Sequence, residues 1–159
     1  EPTKEEILAD IRTRDLSQYA QLVFCGYGEP SYRLKDIVWV IDRLKAAGPT
    51  PKIRMDTNGH SDLIWKEDTV PLFRGRFDIL SISLNGDSPE SYALRCRPAF
   101  GEKSYAAMLD FTRRAVRAVP KVIMTVVDYH MTKEEIDRCR TICEDLGAEY
   151  RVRAYSTEW

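Results

Sequence analysis

The chain has 159 residues and a mass of 18.4 kDa, the size of a single domain, which excludes a complete eight-stranded α/β barrel. Its 24 Lys and Arg against 25 Asp and Glu give a net charge of -1, which excludes a chain-wide basic surface for nucleic acid. Hydrophobic residues make up 43%, no apolar run reaches the roughly 20 residues that a membrane helix needs, and the cysteines are few. The composition predicts a globular cytoplasmic protein with reduced thiols.

The first part of the chain predicts a helix, a strand and a second helix. Thr3 and Glu6 have the spacing of a capping box, which predicts a helix that begins directly after Thr3. The apolar run over 22–25 predicts a buried strand, with Cys25 as a small hydrophobic residue of the interior. Apolar residues at helical spacing over 34–44, followed by glycine and proline, predict the second helix.

The remainder of the chain repeats this strand, loop and helix unit. Strands are predicted over 52–56, 77–84, 121–127 and 150–154, and helices over 89–94, 103–118 and from the Thr132–Glu135 capping box to Leu146. A short irregular helix is predicted between residues 61 and 73. Five strands that alternate with helices require right-handed crossovers and a parallel sheet. Because no linker or low-complexity stretch divides the chain, residues 1–159 are predicted to form one α/β domain.

Small, polar and flexible residues follow each predicted strand. The segments are GYGEP (26–30), DTNGH (56–60), SLNGD (83–87), VVDYH (126–130) and RVRAY (151–155). Ligands of parallel α/β folds bind at the carboxyl ends of the strands, where glycines allow close approach and carbonyls accept hydrogen bonds from an ammonium group. The same residue types also build ordinary strand-to-helix turns, so this alternative stays open.

The histidines and cysteines form no recognisable metal-binding pattern. His60 and His130 fall in strand-end loops without a matching pair of carboxylates. Cys139 and Cys143 have the spacing of the first two cysteines in the iron–sulfur motif C-x-x-x-C-x-x-C, but the third position is Leu146. Because both cysteines lie on one face of a predicted helix, we expect them to pack in the core.

Taken together and in this order, the strand ends resemble those of radical S-adenosylmethionine (radical SAM) enzymes. GYGEP resembles the Gly-Gly-Glu-Pro motif after the second core strand of that superfamily, with Tyr27 between the two glycines. DTNGH resembles its Thr-Asn-Gly turn, SISLNG its fourth-strand segment and VIMTVVDYH its fifth strand. Counterparts of EPTKEEIL, CGYGEP and RVRAY make the TatD-associated radical SAM proteins, which are encoded beside or fused to a TatD-type nuclease, the nearest resemblance.

The resemblance implies a partial TIM-like (β/α)6 barrel of the radical SAM type, with five parallel strands present and the first strand absent. It also implies how the methionine end of S-adenosylmethionine is held. Backbone carbonyls of the 26–28 loop and the Glu29 carboxylate would bind the methionyl ammonium group, and Asp56 and Asn58 would line the methionine or substrate side.

For the nucleoside end, the resemblance implies that Ser83 and Asn85 meet the ribose and that the Val126 backbone meets the adenine. Arg153 would point into the barrel mouth and pair with a carboxylate or a substrate anion. The implied cofactor-binding residues are Gly26, Tyr27, Gly28, Glu29, Asp56, Asn58, Ser83, Asn85, Val126 and Arg153.

The superfamily holds a 4Fe-4S cluster with three cysteines after its first strand, and this sequence contains no such loop. We therefore expect an N-terminally truncated core that binds S-adenosylmethionine but is inactive alone. Reductive cleavage to a 5′-deoxyadenosyl radical would need a cluster held by a segment absent from this chain. The expected partners are an unknown small-molecule or protein substrate, an electron donor such as flavodoxin or ferredoxin, and a TatD-type nuclease, with no membrane and no nucleic acid.

Two other functions stay open on the sequence. A conventional barrel-like hydrolase or isomerase would use Asp56, Glu29, His60 or His130 for acid–base catalysis. A non-catalytic binding module would be a degenerate part of a barrel. No motif indicates the substrate or the oligomeric state.

Overall fold

A computed structural model of the protein describes residues 1–155. Its strands are β1 (Gln21–Phe24), β2 (Lys52–Thr57), β3 (Ile79–Ser83), β4 (Lys121–Val127) and β5 (Glu149–Arg153). Its α-helices are α1 (Lys4–Arg12), α2 (Leu34–Ala47), α3 (Ser61–Trp65), α4 (Val70–Phe73), α5 (Pro89–Cys96), α6 (Lys103–Ala115) and α7 (Lys133–Leu146). Short 3₁₀ helices cover Leu16–Gln18 and Pro30–Arg33.

Capping boxes begin two of the helices at the predicted residues. The Thr3 hydroxyl accepts a hydrogen bond from the Glu6 backbone N–H at 3.2 Å, and the Glu6 carboxylate accepts one from the Thr3 N–H at 2.7 Å. Thr132 and Glu135 repeat this reciprocal pair before α7, with distances of 3.2 and 2.8 Å. Both predicted helix starts are therefore confirmed.

The five strands form one parallel sheet in the order β1-β2-β3-β4-β5, which confirms the predicted α/β class. One row of paired residues matters for the site, because it joins Ser83, Thr125 and Arg151 across β3, β4 and β5. The carboxyl ends of all five strands lie at the same edge, as the parallel pairing requires.

The two faces of the sheet have different surroundings. One face carries the fully buried Met55, Leu80, Ile82 and Met124, which join the hydrophobic core that α2, α4, α6 and α7 complete. Along each strand, the residues between these point to the other face, which we call the helix-free face and which is mostly polar. Its residues are Gln21, Val23, Lys52, Arg54, Asp56, Ile79, Ser81, Ser83, Lys121, Ile123, Thr125, Val127, Glu149, Arg151 and Arg153.

Burial supports this division. Ile79 and Ile123 are buried, but they belong to neither of the two hydrophobic clusters to which the helices contribute. All-parallel sheets usually have both faces covered and apolar, so a polar face is typical of the inside of a barrel or of a binding surface. Among the described residues, none of the helices has the length and hydropathy of a membrane-spanning segment.

Several predicted boundaries were wrong. β1 ends at Phe24, and Cys25 is exposed rather than a buried residue of the strand. Cys25 continues the alternation of the helix-free face at an edge strand, where nothing among residues 1–155 packs over it. Between residues 61 and 73, where one short irregular helix is predicted, the structure has two, α3 and α4. They are separate because the Thr69 backbone N–H bonds to the Asp62 carboxylate at 2.8 Å and Pro71 begins a new turn.

Candidate functional site

Glu29 joins the loop after β1 to the turn after β2. Its Oε1 atom accepts hydrogen bonds from the Ser31 backbone N–H at 3.0 Å and from the Thr57 hydroxyl at 2.6 Å. Its Oε2 atom accepts one from the Asn58 backbone N–H at 2.7 Å. Since each carboxylate oxygen has two acceptor positions, one position on Oε2 remains for a further donor.

The loop over 26–28 presents open backbone. All three residues are exposed, and the Tyr27 side chain is in full contact with solvent. Gly26 and Gly28 have no positive φ angle, and a Cβ atom at Gly28 would have no other atom within 4 Å. The chain itself therefore does not require glycine at position 28, and the glycine leaves space beside its carbonyl. The loop lines a cleft of about 750 Å³ that also includes Arg33 and Asp36.

The turn after β2 is held rigidly by its own contacts. Gly59 has a φ angle of 76°, and a Cβ atom there would lie 3.0 Å from Met108 and 3.2 Å from Ile82. The Asn58 side-chain oxygen accepts a hydrogen bond from the His60 backbone N–H at 2.9 Å. The Asn58 amide nitrogen stays available for a ligand, whereas the Asn58 oxygen is already used.

His60 connects this turn to α5. Its ring is 2% exposed, and its Nε2 atom lies 3.1 Å from the Tyr92 hydroxyl. The Tyr92 and Phe100 rings lie nearly perpendicular to the imidazole, with ring centroids 6.1 and 6.2 Å away. Burial lowers the pKa of His60, and the negative charge of Glu29 partly opposes that shift. His60 is therefore a neutral residue that positions the turn.

The buried His60 predicts a loss of stability in mild acid. The unfolded chain takes up a proton on this histidine near the ordinary pKa of 6.5, whereas burial keeps the folded ring neutral to a lower pH. The free energy of unfolding therefore has its full value above pH 6.5 and decreases as the pH falls below 6.5. Urea unfolding at several pH values should show that the free energy of unfolding depends less on pH in His60→Gln than in the unmodified protein.

His130→Asn is the matched control, because His130 is exposed and Asn tolerates its φ angle of 53°. That control should keep the pH dependence of the unmodified protein. Equal pH dependence in both variants would contradict the assignment to His60.

The ends of β3 and β4 are joined by Asn85. Its side-chain oxygen accepts a hydrogen bond from the Val127 backbone N–H at 2.9 Å, and its φ angle is 48°. Ser83 is half-buried on the helix-free face. The Val126 side chain is fully buried and the residue pairs with Val152 of β5, so only the backbone of Val126 is placed to meet a ligand.

A second cleft, of about 440 Å³, opens beside Asn85 at the end of β4. The ring of Tyr129 lies 3.9 Å from that of His130 and 4.2 Å from that of Tyr155, measured between centroids. Arg95 borders the same cleft, and its Nη2 atom donates to Glu135 at 2.7 Å. Its buried Nη1 atom makes no hydrogen bond within residues 1–155. The cleft thus combines flat aromatic surface with polar groups.

Arg153 and Asp56 lie at different parts of the sheet. Arg153 ends β5, and its carbonyl accepts a hydrogen bond from the Asp128 N–H at 3.1 Å. Asp56 forms an ion pair with Arg54 at 2.6 Å on the helix-free face. The structure therefore brings the glycine loop together with Asn58, and Ser83 together with Asn85, while Arg153 lies at the opposite edge strand from the loop.

The groups considered for acid–base catalysis do not form a pair. In the described part of the chain, no hydrogen bond links any two of Glu29, Asp56, His60 and His130. Glu29 bonds to the loops, Asp56 to Arg54 and His60 to Tyr92. No observation of this geometry favours the hydrolase or isomerase hypothesis.

The cysteines are dispersed. Cys139 and Cys143 are fully buried in α7, as expected for core packing, and burial raises the pKa of each thiol to about 12. Cys96 is half-buried and Cys25 exposed. Within residues 1–155 no three His, Cys, Asp or Glu side chains gather as a metal-binding group. These residues therefore do not fit a 4Fe-4S cluster.

A model of the radical SAM superfamily matches residues 1–141. The chain belongs to the radical SAM superfamily. The matched residues include β1 to β4 with the loops that follow them, and β5 lies beyond the match. A search of curated proteins finds no match to the chain. The five-stranded parallel sheet is consistent with a partial radical SAM barrel, and the family relation indicates radical chemistry that depends on S-adenosylmethionine.

Several residues around the candidate site were not predicted from the sequence. Thr57 and Arg95 are among them, because their partners lie far away along the chain. The polar residues of the helix-free face, in contrast, could have been predicted from the sequence. Polar residues alternate with apolar ones in KIRMDT and ILSIS, a period of two that indicates a strand with one polar face. The additional residues are Arg54, Thr57, Ser81, Tyr92, Arg95, Thr125, Tyr129, Arg151 and Tyr155.

Proposed function

We propose that the carboxyl edge of the sheet binds S-adenosylmethionine and that the protein is the core of a radical SAM enzyme. The observation that carries this proposal is the contact of Glu29 with Thr57 and Asn58, which holds the glycine loop against the Thr-Asn-Gly turn. Bound S-adenosylmethionine would supply, on one-electron reduction, a 5′-deoxyadenosyl radical that abstracts hydrogen from a substrate. A 4Fe-4S cluster would be held by residues other than 1–155.

The methionine end would lie at β1 and β2. An ammonium group has three donors, and the carbonyls of 26–28 and the open position on Glu29 Oε2 are acceptors of the right kind. The Asn58 amide nitrogen can donate to the methionyl carboxylate, and Asp56 lies one strand away on the helix-free face. The glycine at 28 leaves room for this close approach.

The nucleoside end would lie at β3 and β4. Ser83 and Asn85 would donate to or accept from the ribose hydroxyls, and the Val126 backbone would bind the adenine edge. The stacked rings of Tyr129 and Tyr155 offer an adjacent face for the base. This arrangement would orient the cofactor across the sheet edge, while the cofactor supplies the chemistry.

We also propose a finer assignment, to the TatD-associated radical SAM proteins, supported by the stretches EPTKEEIL, CGYGEP and RVRAY. On this proposal the protein acts in the cytoplasm on a small-molecule or protein substrate, receives electrons from a flavodoxin or ferredoxin, and associates with a TatD-type nuclease. Copurification with such a nuclease tests the association.

A titration with S-adenosylmethionine tests the proposed function. Backbone amide shifts measured by NMR should change, in a saturable way, at 26–29, 58–60 and 83–86. Gly28→Val should weaken this binding at least tenfold with little change in melting temperature, because position 28 has space for a side chain but the cofactor would fill it.

Ala106→Val is the control, since Ala106 is exposed on α6, away from the strand ends. It should bind as the unmodified protein does. Unchanged affinity of Gly28→Val, or shifts confined to other regions, would contradict the proposed site.

A further inference from the structure

The helix-free face presents two arginines at its β5 edge. Tyr150 lies on the opposite face, because its hydroxyl donates to the Ile136 carbonyl of α7 at 2.9 Å. Side chains alternate along a strand, so Arg151 and Arg153 lie on the helix-free face. Arg151 pairs in register with Thr125, which pairs with Ser83. Adjacent strands are about 4.8 Å apart, so these three residues lie within about 10 Å along one row.

This part of the face has unused hydrogen-bonding capacity. Within residues 1–155, neither guanidinium forms an ion pair, and the hydroxyls of Ser81, Ser83 and Thr125 make no side-chain hydrogen bond. Nearby charged groups are paired instead, as Lys121 is with Glu149 at 2.9 Å and Arg138 with Asp87 at 2.6 Å. Within residues 1–155, this part of the face therefore carries two arginines without an ion-pair partner, Arg151 in the row and Arg153 beside it.

Two arginines and neighbouring hydroxyls supply the positive charge and the hydrogen-bond donors that bind an oxyanion. A guanidinium group forms paired hydrogen bonds with a carboxylate or phosphate, and hydroxyls complete the set of donors. The carboxylate of S-adenosylmethionine is not the anion that this row fits. In the proposed arrangement the methionyl carboxylate lies at Asn58 after β2, three strand spacings or about 14 Å along the sheet from β5.

We propose that the β3–β5 part of the helix-free face binds a small-molecule substrate through its carboxylate or phosphate group. Arg151 and Arg153 hold the oxyanion, and Thr125 donates from the strand position that pairs with Arg151. This inference rests on the proposed function, because it places the substrate beside the nucleoside end of the cofactor. The substrate class is thus an organic acid or a phosphate ester.

NMR titration of the full chain with inorganic phosphate and, separately, with malonate tests the inference at constant ionic strength. Saturable amide shifts are expected at Thr125 and over 151–153. The double variant Arg151→Gln/Arg153→Gln should bind at least fivefold more weakly. A stronger response to phosphate identifies a phosphate group as the bound anion, and a stronger response to malonate a carboxylate.

The double variant Arg74→Gln/Arg117→Gln is the control for charge. Both arginines are exposed, neither forms an ion pair within residues 1–155, and their removal changes the net charge by the same amount. This control should bind both anions as the unmodified protein does. Equal weakening in the two double variants, or shifts that do not saturate, would mean nonspecific attraction and would overturn the inference.

The single variant Arg151→Gln separates this inference from the proposed function. It should weaken binding of the anions but leave the affinity for S-adenosylmethionine unchanged, because Arg151 is not among the residues assigned to the cofactor. If the unmodified protein binds the anions but not S-adenosylmethionine, the proposed function fails and the anion site stands. If it binds S-adenosylmethionine and the anions bind elsewhere, only the anion site is wrong.

Discussion

Replacing Glu29 with alanine is expected to lower the free energy of unfolding by roughly 3 kcal/mol, from the loss of three hydrogen bonds to a charged group at about 1 kcal/mol or more each. The variant leaves the Thr57 hydroxyl and the backbone N–H groups of Ser31 and Asn58 without their acceptor. The glycine loop would no longer be held against the turn, so binding of S-adenosylmethionine should be lost as well. Urea unfolding and the NMR titration measure the two effects.

Asp36→Ala is the matched control, because Asp36 lines the same cleft and, among residues 1–155, its carboxylate bonds to Arg33 alone, at 2.8 Å in a partly exposed pair. Such a pair contributes at most about 1 kcal/mol. Glu29→Gln should be intermediate, since the amide keeps one acceptor oxygen but turns an NH₂ group toward a donor. A Glu29→Ala variant within 1 kcal/mol of the unmodified protein would show that the link between the loops is not a stabilising contact.

Local signals predicted the elements that local interactions stabilise. The capping boxes at Thr3 and Thr132 need only residues three positions apart, and both helices begin where those signals lie. β4 has the predicted bounds, Lys121–Val127, because its continuous apolar run is buried over most of its length. Parallel pairing followed from the alternation of strands and helices, since each crossover must return to the same edge.

Contacts between distant residues were not predictable in the same way. Glu29 was assigned to an ammonium group, but its main partners in the chain are Thr57 and Asn58, which lie 28 and 29 residues away. The 32-residue separation between His60 and Tyr92 likewise leaves no local pattern. Cys25 was misplaced because the burial of a strand residue depends on what covers each face, and β1 is an edge strand.

The chain of contacts from the glycine loop extends to α5. Glu29 bonds to the turn after β2, His60 of that turn meets Tyr92, and Tyr92 follows the first turn of α5. The loop between β3 and α5 contains Asn85, which joins β3 to β4. The methionine and nucleoside ends of the proposed cofactor site are therefore linked through buried and partly buried groups, and a disturbance at one end should reach the other.

Among the glycine-to-alanine substitutions of this chain, Gly86→Ala is expected to be the most destabilising. It should lower the free energy of unfolding by about 3 kcal/mol. Its Cβ atom would lie 2.6 Å from the Tyr92 backbone nitrogen and 2.7 Å from the Tyr92 Cα atom. Relief requires movement of the first turn of α5, which the reciprocal hydrogen bonds of Ser88 and Ser91 hold in place. Movement there would also displace Asn85 and weaken binding of S-adenosylmethionine.

Two other glycines provide a graded control for urea unfolding. Gly101→Ala meets no atom within 4 Å but has a φ angle of 61°, so it should cost only the strain of a left-handed residue, about 1 kcal/mol. Gly28→Ala has neither a clash nor a positive φ angle and should change stability by less than about 0.5 kcal/mol. If Gly86→Ala lowered the free energy of unfolding no more than Gly101→Ala does, α5 would not approach this turn closely. The proposed link between the two ends of the site would then be wrong as well.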